Sequence, residues 1–247
     1  MTGPDVPDTF RLAYVPGATP AKWVRTWAER VPEVPLQLVP VAAADATALV
    51  RERGADAALL RSPIDRDGLH AIPLYTETTV VVVPKDHVVA AADEVAVADL
   101  AEDVVLNPLD DTIEWDSLPG RPALERPATT ADAIELVAAG IGVLVVPQSL
   151  ARLHHRRDLT YRPVADAPQS SVALSWLEDE TTDLMEEFIG IVRGRTVNST
   201  RGRQQPAPAP AERKAPARKP AGGKSAKPGA GRRGGGVAKR GKPRRRS

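Results

Sequence analysis

Apolar and polar positions in residues 10–60 follow two periods in turn. "FRLAYV" (Phe10–Val15) is a short apolar run closed by Pro16-Gly17, the mark of a buried strand. "AKWVRTWAERV" then sets Trp23, Trp27 and Val31 at i, i+4 and i+8, with Val24 beside them, as one face of a helix. Thr19 stands where an N-cap belongs, Pro20 at the first helical position, and the helix stops before Pro32. "PLQLVPV" alternates as a second strand, and Asp45 caps a helix over "ATALVRER" that Gly54 ends. "ADAALL" (Ala55–Leu60) is a third strand, closed by Ser62-Pro63. Strand–helix–strand–helix–strand predicts a parallel sheet covered by helices.

The pattern continues with "AIPLYTETTVVVVP", one or two strands ending at Pro84. "VADLAED" reads as a short helix and "VVLNP" as a strand. Thr129/Thr130 cap a helix over "ADAIELVAAG", whose Ile134, Val137, Ala138 and Ile141 make one stripe. Gly140-x-Gly142 follows this helix and precedes the apolar strand "VLVVP", the reverse of the order in a dinucleotide fingerprint. It reads as a helix C-cap and a tight entry into the strand. "LTYRPV" and "SVALSWL" are further strands. "TTDLMEEFIGIVRGR" is a final helix with Leu184, Met185, Phe188 and Ile191/Val192 inward, acids early and arginines late, as the helix dipole favours.

After Val197 the periodicity ends, and charge changes the picture. Residues 198–247 carry 16 Lys and Arg against one acid, Glu212, a net of +15. Residues 1–197 hold the other 17 bases and 31 acids, a net of −14. The overall charge of +1 therefore describes neither part. Rich in Pro, Gly, Ala and Lys and poor in bulky apolar residues, the tail cannot bury enough to offset chain entropy and is predicted to be disordered. A polycation of this kind binds phosphates without reading sequence. Its steps of Lys, Ala and Pro resemble tails of linker-histone-like proteins, and no aromatic residue is interleaved to stack on bases. The residues expected to contact nucleic acid are Arg232, Arg233, Lys239, Arg240, Lys242, Arg244, Arg245 and Arg246. The opposed charges also allow the tail to fold back on its own acidic domain, and a solubilising role stands as the plain alternative.

With no cysteine, the chain has no disulfide, zinc–thiolate site or thiol nucleophile. The opening "MTGPDVPDTF" lacks the basic and apolar regions of a secretory leader, and "TVVVVP" and "IGVLVVP" are far shorter than the roughly 20 residues of a membrane helix. The expected location is the cytoplasm, with nucleoid association through the tail, and no membrane partner. No nucleophile elbow, P-loop or paired catalytic carboxylate motif occurs, so no enzyme, cofactor or catalytic residue is expected. The adjacent His154 and His155 point apart and read as a surface pair rather than metal ligands.

Seven stretches in order resemble the ligand-binding (effector) domain of LysR-type transcriptional regulators. They are "FRLAYVPG", "RVPEVPLQLV", "GADAALLRSP", "LYTETTVVVVPKDHVVA", "AVADLAEDVVL", "VAAGIGVLVVPQSLAR" and "WLEDETTDLMEEFIGIVR", together covering roughly Phe10–Arg193. The resemblance implies an α/β chain of two Rossmann-like lobes of the type 2 periplasmic-binding-protein kind, followed by the basic tail. Lobe I would be residues 10–83 plus 164–195 and lobe II residues 84–163, with the tail at 196–247. The chain would cross near Pro84 and return near Val164. A small ligand would lie between the lobes, in agreement with the rule that open α/β sheets bind ligands beyond the carboxyl ends of their strands. The family's helix carrying Trp23 and Trp27, with the strand after it, forms a homodimer, so these tryptophans read either as core or as interface. Nine residues precede the first strand, so the family's winged helix-turn-helix finds no match in this sequence. The expectation is that the basic tail alone reaches nucleic acid.

Candidate ligand contacts follow from position. Gly17, Ala18 and Thr19 stand between the first strand and first helix, where a hydroxyl and free amides suit a carboxylate and glycine allows close approach. Arg61 and Ser62 follow the third strand, and Arg61 suits a bidentate pair with an acid. Asn107, Thr129 and Thr130 would line the facing wall, unless they serve only as caps. His87 in "PKDH" is expected to pack or cap. The sequence thus reads as a domain sensing a small, anionic metabolite in a transcription-related role, with a nucleic-acid-binding tail. The alternative is a cytoplasmic solute-binding module whose tail serves solubility or partner docking.

Overall fold

The computed structural model describes residues 9–195, and the basic tail with its predicted contacts lies outside them. Two five-stranded sheets carry the fold. The first has the order β2-β1-β3-β10-β4, with β1 Phe10–Tyr14, β2 Leu36–Pro40, β3 Ala57–Arg61, β4 Leu69–Glu77 and β10 Ser170–Leu177. Strands β1, β2 and β3 are parallel, as the alternation of strand and helix demands, while β10 runs antiparallel to β3 and β4. The second sheet has the order β7-β6-β8-β5-β9, from β5 Thr79–Pro84, β6 Val104–Leu106, β7 Arg121–Pro122, β8 Val143–Pro147 and β9 Leu159–Pro163.

The sheet changes at Thr78, between β4 and β5, and not near Pro84 as the sequence suggested. The run "LYTETTVVVVP" is two strands, and the whole of "TVVVVP" pairs with β8 and β9. The return falls after Val164, which bridges to Val95 in the second lobe, and before β10. The two crossings lie side by side: Thr79 Oγ1 donates to Pro168 O at 2.5 Å.

Helices α1 (Ala21–Arg30) and α5 (Asp183–Val192) pack on the first sheet. Phe10 stacks on Trp27 with centroids 4.7 Å apart, and Phe188 closes the cluster at 5.2 Å from Phe10. Trp27 is buried and its Nε1 donates to Val34 O at 2.7 Å, so this tryptophan belongs to the core and not to an interface. Trp23 is only partly buried at the edge of the same cluster. Helix α2 (Ala46–Arg51) covers β1 and β3. In the second lobe α3 (Thr130–Ala138) packs Ala133, Ile134 and Val137 on Val80, Val82 and Leu144. Gly140 takes φ +73° just past α3, and a Cβ on Gly142 would stand 2.4 Å from Val104 O, which accounts for the Gly-x-Gly as a helix stop and a close strand approach. "VADLAED" forms only a single 3₁₀ turn, Val97–Leu100.

Candidate functional site

A cleft of about 960 Å³ opens between the two lobes. Its first wall is the carboxyl end of β1 with the turn after it, Tyr14 and Pro16–Thr19, joined by Val41 after β2 and Tyr75–Glu77 at the end of β4. The facing wall comes from α4 (Gln148–Leu153), which leaves β8 directly, through Gln148, Ser149, Arg152 and Leu153. Thr78 forms the floor where the sheets meet, and its carbonyl accepts from the Gln148 N–H at 2.9 Å.

Of the residues singled out in the sequence, Gly17, Ala18 and Thr19 line this cleft. Thr19 does not cap α1. Pro20 already has helical φ −74° and ψ −6°, so it takes the cap position and no side chain closes the helix start. The Thr19 side chain is exposed, and the N–H groups of Ala21 and Lys22 meet no acceptor among the described residues. Gly17 has φ +84°, and a Cβ there would stand 2.4 Å from Ser149 Oγ and 2.7 Å from an Arg61 nitrogen. Gly17→Ala is expected to cost about 1–3 kcal/mol in urea unfolding, from strain at positive φ and displacement of Ser149.

Arg61 does not reach the open cleft. Its side chain is 4% exposed and pairs with Glu77, itself 10% exposed. One guanidinium nitrogen donates to Glu77 and to Ser170 Oγ at 3.1 Å. The other donates to Pro16 O at 3.1 Å and, across the cleft, to Ser149 Oγ at 2.9 Å. The β3 backbone turns this side chain inward because β3 is buried along its whole length. Ser62 is exposed and holds register through its N–H to Ser171 O, away from the cleft wall.

Asn107, Thr129 and Thr130 are not among the cleft-lining residues, because α4 and not α3 supplies the facing wall. Each has a local task. Asn107 Oδ1 accepts from Arg126 at 2.6 Å. Thr129 Oγ1 accepts from the Asp132 N–H at 3.1 Å while Asp132 reaches back to the Thr129 N–H, a capping box. Thr130 Oγ1 donates to Asp110 at 2.9 Å. Thr129→Ala is expected to cost about 1 kcal/mol in thermal or urea unfolding, as the loss of a cap does, and to leave the cleft unaltered. Nearby, burial raises the Asp111 carboxyl above its ordinary value, with the Ile113 and Thr112 N–H groups and Trp115 opposing the shift. His87 caps a 3₁₀ turn by accepting from the Val89 N–H and meets Asp103 at 3.2 Å.

Sequence reasoning missed Tyr14, Tyr75, Glu77, Gln148, Ser149 and Arg152. The usable signal lay in "VLVVPQSLAR", where polar residues resume immediately after a buried strand, at the carboxyl end where ligands bind. In the assembled cleft, burial and the Glu77 carboxylate raise the Tyr75 phenol above its ordinary value, and Arg61 opposes the shift. The Arg61 charge is met by Glu77. Arg152 is exposed, makes one 3.3 Å hydrogen bond from Nε to Tyr161 Oη, and pairs with no carboxylate among the described residues. Beside it, Pro16, Ala18, Val41 and Leu153 give the walls an apolar character. Among the described residues no group of three or more His, Cys, Asp or Glu is placed to hold a metal ion. No described helix is long and apolar enough to cross a membrane.

A family model described as the LysR substrate binding domain matches residues 7–196. The chain belongs to that family. Its LysR domain is 25% identical over 183 residues to the Hca operon transcriptional activator HcaR of Escherichia coli K12, covering 69% of this chain and 61% of HcaR. It is 33% identical over 132 residues to a probable hydrogen peroxide-inducible genes activator of Mycobacterium avium, covering 49% of this chain and 42% of that protein. The chain thus spans about two fifths to three fifths of the length of these relatives. Among solved structures, the BenM effector-binding domain with its effector benzoate superposes with a TM-score of 0.63 at 19% identity, over 75% of this chain and 90% of that one. The LysR domain accordingly has the two-lobed, periplasmic-binding-protein-like fold of such effector domains, the class expected from its sequence.

Proposed function

We propose that the LysR domain senses a small anionic metabolite in the inter-lobe cleft and serves a transcription-related role, with the basic tail adding sequence-independent contact to nucleic acid. The observation that carries the ligand reading is the pairing of charges in the cleft. Arg61 is consumed by Glu77, while Arg152 lines the same cleft as Thr19, from the facing wall, and pairs with no carboxylate among the described residues. A carboxylate placed there meets a guanidinium, the Thr19 hydroxyl and the uncapped N–H groups of a ten-residue helix. Apolar neighbours and two tyrosines favour an organic body on the anion. Benzoate, the effector seen with BenM, is a fitting first probe for that reason.

The relationship to a peroxide-inducible activator supports a different chemistry less well. These 247 residues contain no cysteine to oxidise, and Met185 is buried at 1% exposure. Self-association is assigned to Trp23 and the free edge of β2, since Trp27 is committed to the core.

Calorimetric titration of the full chain with benzoate and with its neutral isostere benzamide tests the cleft. Benzoate is expected to bind and benzamide to bind at least tenfold more weakly, in keeping with a charge-assisted contact worth about 1.5–3 kcal/mol. Arg152→Gln is expected to lower benzoate affinity by about tenfold or more, by the same contact. Equal binding of acid and amide, or an unchanged Arg152→Gln, rejects the anion reading.

A further inference from the structure

The Arg61 guanidinium sits one layer behind the cleft surface. Three of its four partners, Glu77, Pro16 and Ser149, are themselves cleft-lining residues. Glu77 is the only carboxylate on that guanidinium among the described residues, and it approaches from the cleft side, at the last position of β4. A buried arginine held by a backbone carbonyl and two serine hydroxyls, with its one carboxylate partner drawn from the lining of a ligand cleft, is built as an anion site. Here the chain supplies the anion.

We infer that Glu77 is a built-in carboxylate occupying an Arg61 anion site, and that it limits the cleft to ligands with one anionic group. This rests on the reading of the cleft as a site for an organic anion. With Glu77 in place the pair is neutral, and among the described residues Arg152 is the single uncompensated cation lining the cleft. A second ligand carboxylate meets Glu77 and is repelled. Without Glu77, the guanidinium faces the cleft unpaired in a setting where charge is poorly screened, and a second carboxylate takes its place. Glu77 is therefore a specificity-determining residue that need not touch the ligand.

The test uses the full chain with Glu77→Ala, which leaves room for an added carboxylate, and Glu77→Gln, which keeps the shape. Thermal unfolding is followed against formate at constant ionic strength, with chloride as control. Calorimetry compares benzoate with the dianions phthalate and terephthalate. Formate is expected to stabilise Glu77→Ala with an apparent affinity at least about tenfold above its effect on the unmodified protein. The dianions are expected to gain about tenfold or more on Glu77→Gln while benzoate changes little. If neither variant gains any response to formate or dianions, the inference is overturned, even where the unmodified protein binds benzoate. If formate rescues Glu77→Ala but no form binds benzoate, the masked Arg61 site stands and the sensing reading falls. Should both variants fail to fold, the Arg61 Nε–H resonance of the unmodified protein, assigned with Arg61→Lys, decides. With Glu77 paired to a terminal nitrogen of the same guanidinium, it stays unmoved on addition of formate, and a formate-dependent shift overturns the inference.

Discussion

Arg61→Met lowers the unfolding free energy of the full chain by about 3–5 kcal/mol, the loss expected when one partner of a buried ion pair is removed and the other remains. Urea unfolding followed by tryptophan fluorescence measures it. The size follows from burial. The side chains are 4% and 10% exposed, so Glu77 left alone keeps a charge in a site that water hardly reaches. The same substitution also removes donors to Pro16 O, Ser149 Oγ and Ser170 Oγ. A second variant separates the charge from the packing. Arg61→Met with Glu77→Met removes both charges and recovers most of the loss, because an apolar pair of similar volume has no charge to desolvate. A loss below about 1 kcal/mol for the single variant would place the pair among exposed ion pairs and remove the structural basis for a masked anion site.

This pair also shows where a linear sequence stops being informative. The alternation of strand and helix up to Leu60 announces a parallel sheet, and β1, β2 and β3 form one. Of the stripe Ile134, Val137, Ala138 and Ile141, helical spacing selects the first two correctly as buried, while Ile141 lies past the end of α3 at 53% exposure; the inward Met185 and Phe188 are buried. Arg61 was legible as a residue at the end of a strand, hence near a cleft. Its partner was not, because Glu77 is 16 residues away and reaches it only through β10, which lies between β3 and β4 in the sheet. Non-consecutive strand order is a tertiary fact that local periodicity does not encode.

The same limit explains the facing wall. Thr129 and Thr130 announce a helix start, and helix starts attract anions, so they were natural candidates. Their capping box forms as the spacing implies, yet the wall opposite Gly17 is the six-residue α4. Nothing in a local pattern decides which of two helix starts in one lobe faces the other lobe. Gly17 was singled out for close approach of a ligand to the backbone, and what the structure places close there is Ser149, which a Cβ would strike. The misplaced crossing has a plain cause as well. Thr76, Thr78 and Thr79 continue the β-favouring composition through the hinge, so the strand-to-strand break at Thr78 leaves no breaker residue behind.

The largest expected effect belongs to residues outside the described part of the chain. Duplex DNA affinity of the full chain is expected to fall by about 10³–10⁵ between roughly 50 and 200 mM salt, if the tail neutralises about 6–10 phosphates. The tail's 16 Lys and Arg supply more than that number, and its single acid hardly opposes them. A chain shortened to end at Arg195 is net acidic and is expected to show no measurable binding at the lower salt. Random and defined duplexes should bind alike, because phosphate contacts position a protein without reading bases. The comparison is made by fluorescence anisotropy on both chains across the salt series. If the shortened chain binds as well as the full one, the tail is not the anchor. If neither binds at low salt, the acidic domain holds the tail or the tail serves another partner, and the solute-binding alternative gains. Repeating the full-chain series with benzoate then separates these outcomes. A tail held by the acidic domain is released or tightened as the cleft fills, and the salt midpoint moves. A tail that only solubilises leaves it unchanged.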